Sequence, residues 1–276
     1  MSDPPLDPNQ NGDATKKTYH KQPTGLAAQT ASAHSADHTL KLYGSCFCPF
    51  VQRIWIALEA HGLSYQYIEV DVYRKPKLLL DINPRGLVPA LRHGEWGGYE
   101  SSVLMEYLED LADEQGGGGG KHLLPSGAQQ RAHSRLWTDH INRHILPAFY
   151  TYLQSQTPTS QASSAATLKQ HLTTLISAAD PTGPFFLPGN SLSFVDVQIA
   201  PWILRFRRVL TPYRGWPAPE EGSRWAAWVD AIESAEEVKR TTSGDELYLE
   251  SYERYAEDRP NTSEVAAAIR GGKGLP

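Results

Sequence analysis

Cys48 is the side chain in this sequence best placed to act as a nucleophile. It stands in Ser45-Cys46-Phe47-Cys48-Pro49-Phe50, after a short apolar run of strand character, Thr39 to Gly44. Val51, Ile54, Trp55 and Leu58 follow at i, i+3, i+4 and i+7, one face of a helix. Proline presets φ for the first helical position, so Pro49 opens that helix and Cys48 becomes its N-cap. An N-cap lies beside unpaired backbone N–H groups at the positive end of the helix dipole. Both favour a thiolate, the reactive form of cysteine. The plainer reading is an inert buried cysteine. Cys46 precedes the helix start, lacks that help and reads as a quiet structural thiol. The pair is Cys-x-Cys, not the Cys-x-x-Cys of dithiol redox proteins.

The elements around this turn must hold it. Residues 65–72 alternate, with Ile68, Val70 and Val72 on one face, and predict a second strand. A short helix begins at Pro76. Asn83-Pro84-Arg85-Gly86 is a turn. Residues 87–91 are strand-like but contain Pro89, and a cis Val88–Pro89 bond would reconcile the two. Residues 94–99 return as a hairpin. Glu100-Ser101 opens a helix with Leu104, Tyr107, Leu108 and Leu111 on one face. The order β-α-β-α-β-β-α, over residues 39–114, predicts a small α/β domain. The unbroken glycine run 116–120 marks residues 115–127 as a linker.

Residues 128–259 read as wholly helical. Trp137, Ile141, Ile145, Phe149 and Leu153 recur at i+4 steps, with Pro147 expected to bend that helix. Residues 168–179 form another. Ser193-Phe194-Val195-Asp196 resembles a capping box, and Leu192 and Val197 occupy the positions of a hydrophobic staple. Further helices are expected around Trp225 to Ile232 and over residues 246–256. Residues 1–38, polar and poor in bulky apolar side chains, predict a disordered tail. Residues 260–276 read as a frayed second tail.

Composition narrows the function classes. The chain has 276 residues, enough for two domains with real cores. A net charge of −5 without a basic stripe argues against a nucleic-acid partner. The two cysteines, one residue apart, cannot build a disulfide framework, so a reduced, cytoplasmic setting is expected. No apolar run approaches the roughly 20 residues of a membrane helix. Residues 195–206 come nearest and are broken by Asp196, Gln198 and Pro201.

Several motifs agree in order: Cys48-Pro49-Phe50-Val51-Gln52-Arg53, Asn83-Pro84-Arg85-Gly86-Leu87-Val88-Pro89, Tyr99-Glu100-Ser101 and Ser193-Phe194-Val195-Asp196. Over residues 39–256 the chain resembles cytosolic glutathione transferases, and Cys-Pro-Phe narrows this to the omega-like, cysteine-type class. The resemblance implies a thioredoxin-like α/β domain followed by an all-α domain, a homodimer, and glutathione as co-substrate without a metal. It makes Cys48 the residue that forms a mixed disulfide with glutathione. Val88 would pair its backbone with the cysteinyl part, beside the cis-proline Pro89. Glu100 and Ser101 would hold the γ-glutamyl group, and Phe50 would line the pocket. Trp202 and Arg205 fall where the class lines its acceptor pocket. A lysine that commonly reaches the glycyl carboxylate is replaced by Tyr73, which leaves Lys75 as the nearest candidate.

Each residue also has a structural reading. Glu100 and Ser101 suit a helix start by charge and cap alone. Pro89 suits a turn, Trp202 a core and Arg205 a solvated face. The resemblance implies a thiol transferase or reductase acting on mixed disulfides, dehydroascorbate or glutathionylated small molecules. Two other readings stand beside it. One is a non-catalytic glutathione-binding, ligand-binding or interaction protein. The other is a glutathionyl-hydroquinone reductase, a group that typically carries Trp where this chain has Phe50.

Overall fold

The computed structural model describes residues 19–115 and 122–275. Two compact units divide the chain: residues 1–122 with 239–251, and residues 123–238 with 252–276.

In the first unit, α1 (Gly25–Ala33) precedes β1 (Leu40–Gly44), α2 (Pro49–His61), β2 (Gln66–Glu69), α3 (Lys77–Ile82), β3 (Ala90–His93), β4 (Trp96–Tyr99) and α4 (Ser101–Glu114). From β1 onward the order is the one expected. The sheet runs β2-β1-β3-β4, with β1 parallel to β2 and the other pairs antiparallel. Side chains alternate across it. Tyr43 packs with Val70, Ala90 and the α3 residues Leu79 and Ile82, joined by Ile68 and Val88. Gly44 faces the other way. A Cβ there would come within 2.5 Å of Val51 on α2 and 3.3 Å of the Tyr67 ring, so the strand needs glycine where α2 crosses it. Tyr67 stacks on Trp55 of α2, and α4 packs beside α2. Gly62, at φ 66°, ends α2 in the left-handed conformation that glycine supplies without penalty.

The tail expected over residues 1–38 is corrected in part. Residues 1–18 lie outside the described residues, but residues 19–38 are ordered and contain α1. The segment GLAAQTASA is built from small side chains and gives no apolar period, yet polar contacts anchor it. Thr24 N–H donates to Ser243 Oγ at 3.1 Å, and His34 stacks on Tyr65 with ring centroids 3.9 Å apart. Residues 239–251 likewise join the first unit rather than the helical domain. Gln52 on α2 donates to the Thr241 carbonyl and the Thr242 hydroxyl, both at 3.1 Å. The glycine run of the expected linker lies outside the described residues.

The second unit is helical, as expected. Its elements are α5 (Ala128–His140), α6 (Leu146–Gln154), α7 (Pro158–Ala178), α8 (Phe194–Arg205), α9 (Thr211–Arg214) and α10 (Arg224–Ser234). α11 (Glu236–Arg240) and α12 (Asp245–Ala256) straddle the divisions between units, and α13 (Glu264–Arg270) lies where a frayed tail was expected. Pro147 acts through a π-helical turn, Ile141–Ile145, which joins α5 to α6. A second π turn, Phe206–Leu210, precedes Pro212 in the same way. A proline has no N–H for the carbonyl four residues back, and a wider turn accommodates that loss. α7 starts ten residues before the expected position, at a Thr157–Ser160 capping box with Pro158 in the first turn. Its first half is polar and carries no apolar stripe. Among the described residues no helix is long and apolar enough to cross a membrane.

Candidate active site

Cys48 is the N-cap of α2, with Pro49 in the first turn, as the sequence predicts. The turn before it closes through Cys48 N–H to the Ser45 carbonyl at 2.9 Å, and Gln52 N–H returns to the Cys48 carbonyl at 3.1 Å. The Cys48 side chain is half-buried, and its thiol donates to the Val88 carbonyl oxygen at 3.8 Å. Val88–Pro89 is cis. The structure therefore brings Cys48, Val88 and Pro89 together. The sulfur stands beside the backbone of Val88, two residues before β3 begins, and that backbone can pair with an extended peptide.

Cys46 is different. It is buried, its thiol donates to the His20 carbonyl at 3.5 Å, and burial pushes that thiol far above the usual range, with the nearby Glu69 adding to the effect. Burial thus favours the protonated form of this thiol.

Glu100 and Ser101 lie at the start of α4. Glu100 is exposed and holds φ 72°, ψ 109°, a conformation that side-chain-bearing residues seldom adopt. Strain of this kind gathers where a site demands it. The Glu100 carboxylate accepts from Arg85 Nη1 at 3.1 Å. Ser101 is buried, and its hydroxyl accepts from Arg53 Nη1 at 3.3 Å. Arg53 is itself 1% exposed, with its guanidinium 5.5 Å from the centre of the Phe50 ring. Phe50, Arg53 and Ser101 thus form one chain of contacts from α2 to α4.

Lys75 reaches the Arg85 carbonyl at 3.1 Å, lying across the turn that contains Gly86. Tyr73 packs edge-on against Tyr19, and the Tyr19 hydroxyl meets Asp71 at 3.3 Å. In the helical unit, Trp202 and Arg205 are fully buried. Arg205 donates to the Tyr252 hydroxyl and the Pro201 carbonyl, both at 2.7 Å, and is not on a solvated face.

Sequence reasoning passed over Arg53, Arg85, Glu69 and Tyr19. Arg53 left one signal, a cation next to the apolar stretch of residues 54–58. Arg85 and Glu69 sit at ordinary turn and strand positions, and Tyr19 lay in the presumed tail.

Comparison with known proteins adds a separate line of evidence. Residues 42–116 match the family model "Glutathione S-transferase, N-terminal domain", and residues 139–231 match "Glutathione S-transferase, C-terminal domain". The crystal structure of glutathione transferase Omega 3C from Trametes versicolor superposes with a TM-score of 0.76 at 40% identity, over 83% of this chain and 100% of that one. A probable glutathione transferase omega-2 from Caenorhabditis elegans is 26% identical over 84% of this chain and 91% of its own length. A probable glutathione S-transferase DHAR1, cytosolic, from Oryza sativa subsp. japonica is 27% identical over 72% of this chain and 85% of its own length.

Proposed function

Because the chain belongs to the glutathione S-transferase family and is omega-like, we propose that it is a glutathione-dependent thiol transferase with Cys48 as its nucleophile. Glutathione is the family's co-substrate. The observation that carries the proposal is the Cys48 sulfur at the N-terminus of α2, 3.8 Å from the Val88 carbonyl. Cys48 thiolate attacks the glutathione sulfur of a mixed disulfide, forms the Cys48–glutathione disulfide and releases the acceptor as its thiolate. A second glutathione, as thiolate, then attacks the glutathione sulfur of that disulfide. Oxidised glutathione leaves, and Cys48 returns to its starting state. With dehydroascorbate, two glutathiones supply the two electrons and two protons.

The chain's own residues suit the co-substrate. Val88 offers backbone hydrogen bonds beside Pro89, and Phe50 lines the approach. The N–H groups at the start of α4, with the Ser101 hydroxyl, suit the γ-glutamyl carboxylate. Glu100 suits its ammonium and Lys75 the glycyl carboxylate. For Trp202 and Arg205 full burial favours a role inside the helical unit over direct contact with an acceptor. The rice relative's name supports a cytosolic setting. The decisive test is incubation with oxidised glutathione followed by mass mapping. The proposal requires one glutathione on Cys48, and an adduct on Cys46 alone would refute it.

Glu100→Ala separates binding from folding. A charge-assisted contact to an ammonium contributes about 1.5–3 kcal/mol, so glutathione should bind about 10- to 150-fold more weakly. The Arg85 pair is half exposed, and such surface pairs contribute about 0–1 kcal/mol to stability. Calorimetric titration and thermal unfolding of the same variant decide between the roles. A lower Tm with unchanged affinity would make Glu100 structural.

We also propose a homodimer. Trp96, Tyr99 and Val103, on β4 and the first turn of α4, are large exposed apolar side chains. Light scattering at micromolar concentration should give twice the chain mass, and Val103→Glu should shift it to the monomer. A monomer mass for the unaltered protein would exclude this state.

A further inference from the structure

The turn that presents Cys48 rests on a carboxylate. Glu69 ends β2 opposite Gly44, on the same face as Tyr67. Its Oε1 accepts the Cys46 backbone N–H at 2.8 Å and its Oε2 accepts the Tyr67 hydroxyl at 2.7 Å. The β1–β2 ladder stops here, with Val70 N–H on the Gly44 carbonyl at 2.6 Å. The Cys46 amide lies beyond that ladder, and the Glu69 side chain takes the place of the missing strand.

We propose that Glu69 is a positioning residue for Cys48: its carboxylate pins the Ser45–Cys48 turn through the Cys46 amide, and gain of a proton loosens the pin. Both neighbours donate, so an ionised carboxylate satisfies both with charge-assisted bonds. Once protonated, the acid must turn its own O–H toward Tyr67, and the amide is left with a weaker neutral bond. Burial, with a smaller push from Asp71, raises the Glu69 carboxyl to about 7, while the bonds from Tyr67 and Cys46 oppose that rise. The latch therefore tightens as pH rises through neutrality.

The surrounding charges are accounted for. Tyr67 lies on β2, Asp71 just past it, and Cys46 and Cys48 in the turn. Asp71 takes Lys21 at 3.3 Å and the Tyr19 hydroxyl, and His20 pairs with Glu250 at 2.8 Å. Lys41 on β1 pairs with Asp37, and Arg53 on α2 is turned to Ser101.

The inference rests on Cys48 as the glutathione-accepting nucleophile, and two reagents separate the claims. Iodoacetamide reads thiolate and access alone. Oxidised glutathione also reads placement against the glutathione cradle. Rates of Cys48 modification by both, from pH 5.5 to 8.5, should be followed by mass spectrometry. The unaltered protein should show a step near neutral pH with oxidised glutathione, beyond the thiolate titration that iodoacetamide reports. Glu69→Gln keeps an acceptor for the Cys46 amide and should lose that step. Glu69→Ala should slow the glutathione reaction about tenfold, with the iodoacetamide rate changed about twofold or less. Tyr67→Phe removes a bond that lowers the Glu69 pKa and should move the step to higher pH, which carries the test if Glu69→Ala does not fold. Variants that match the unaltered protein with oxidised glutathione at every pH, or that slow both reagents equally, overturn the latch alone. An unaltered protein that alkylates at Cys48 but never takes up glutathione overturns the thiol transferase reading and the latch together.

Discussion

Cys48→Ser is expected to abolish glutathione-dependent disulfide reduction, with a loss on the order of 10³-fold or more. A hydroxyl at this turn is far less acidic than a thiol and cannot form the mixed disulfide on which the cycle depends. With the buried Cys46 thiol protonated, bound glutathione would then carry the one reactive thiol, and conjugation to an electrophile would remain open to it. Cys46→Ala is expected to change activity about twofold or less, because burial and Glu69 keep that thiol protonated. Its sulfur faces the His20 carbonyl, while the Cys48 sulfur faces Val88. The pair of variants, assayed with a small glutathione mixed disulfide and checked by thermal unfolding, tests the single-nucleophile cycle. Equal losses in both would mean that the two cysteines work as a dithiol, and the cycle would need redrawing.

The position of Cys48 at a helix N-cap was legible because its signal is local. A strand, a turn and a proline-started helix fix Cys48 without any long-range information. Pro89 was legible for a related reason: a proline inside an apolar run has few conformations open to it. What was hidden depends on partners distant in sequence. Arg53 meets Ser101 only once α4 packs beside α2. Glu69 looks like a solvated strand residue until β1 ends and leaves the Cys46 amide in need of an acceptor. α1 is held by Ser243 and Tyr65, and no periodicity of its own announces it. Glu100 carries a positive φ at a residue type that gives no hint of it. Trp202 and Arg205 were placed by resemblance, and burial then put both inside the helical unit.

Asp196→Ala should be the most damaging substitution for folding of the helical unit. The Asp196 carboxylate is fully buried. It accepts from Phe186 N–H at 2.9 Å, Ser193 N–H at 2.7 Å, the Ser193 hydroxyl at 2.6 Å and Trp228 Nε1–H at 2.7 Å. Burial pushes this carboxyl above the usual range, and the same hydrogen bonds pull against that shift. One side chain thus caps α8 and ties it to the loop at Phe186 and to α10. Alanine would strand buried donors, each costing about 1–3 kcal/mol, and would remove half of the capping box. The net loss should be on the order of 3–5 kcal/mol, in the range seen when one member of a buried charged network is removed. At about 2–4 °C per kcal/mol, Tm should fall by about 10 °C. Trp228→Phe deletes one donor and replaces the fully buried indole with a smaller aromatic ring, so it should cost about 1–3 kcal/mol. Per folded molecule, the rate of Cys48 alkylation should be unchanged, because these partners all belong to the second unit. A Tm within about 2 °C of the unaltered protein would show that the cap can be replaced, and α8 would owe its stability to apolar packing alone.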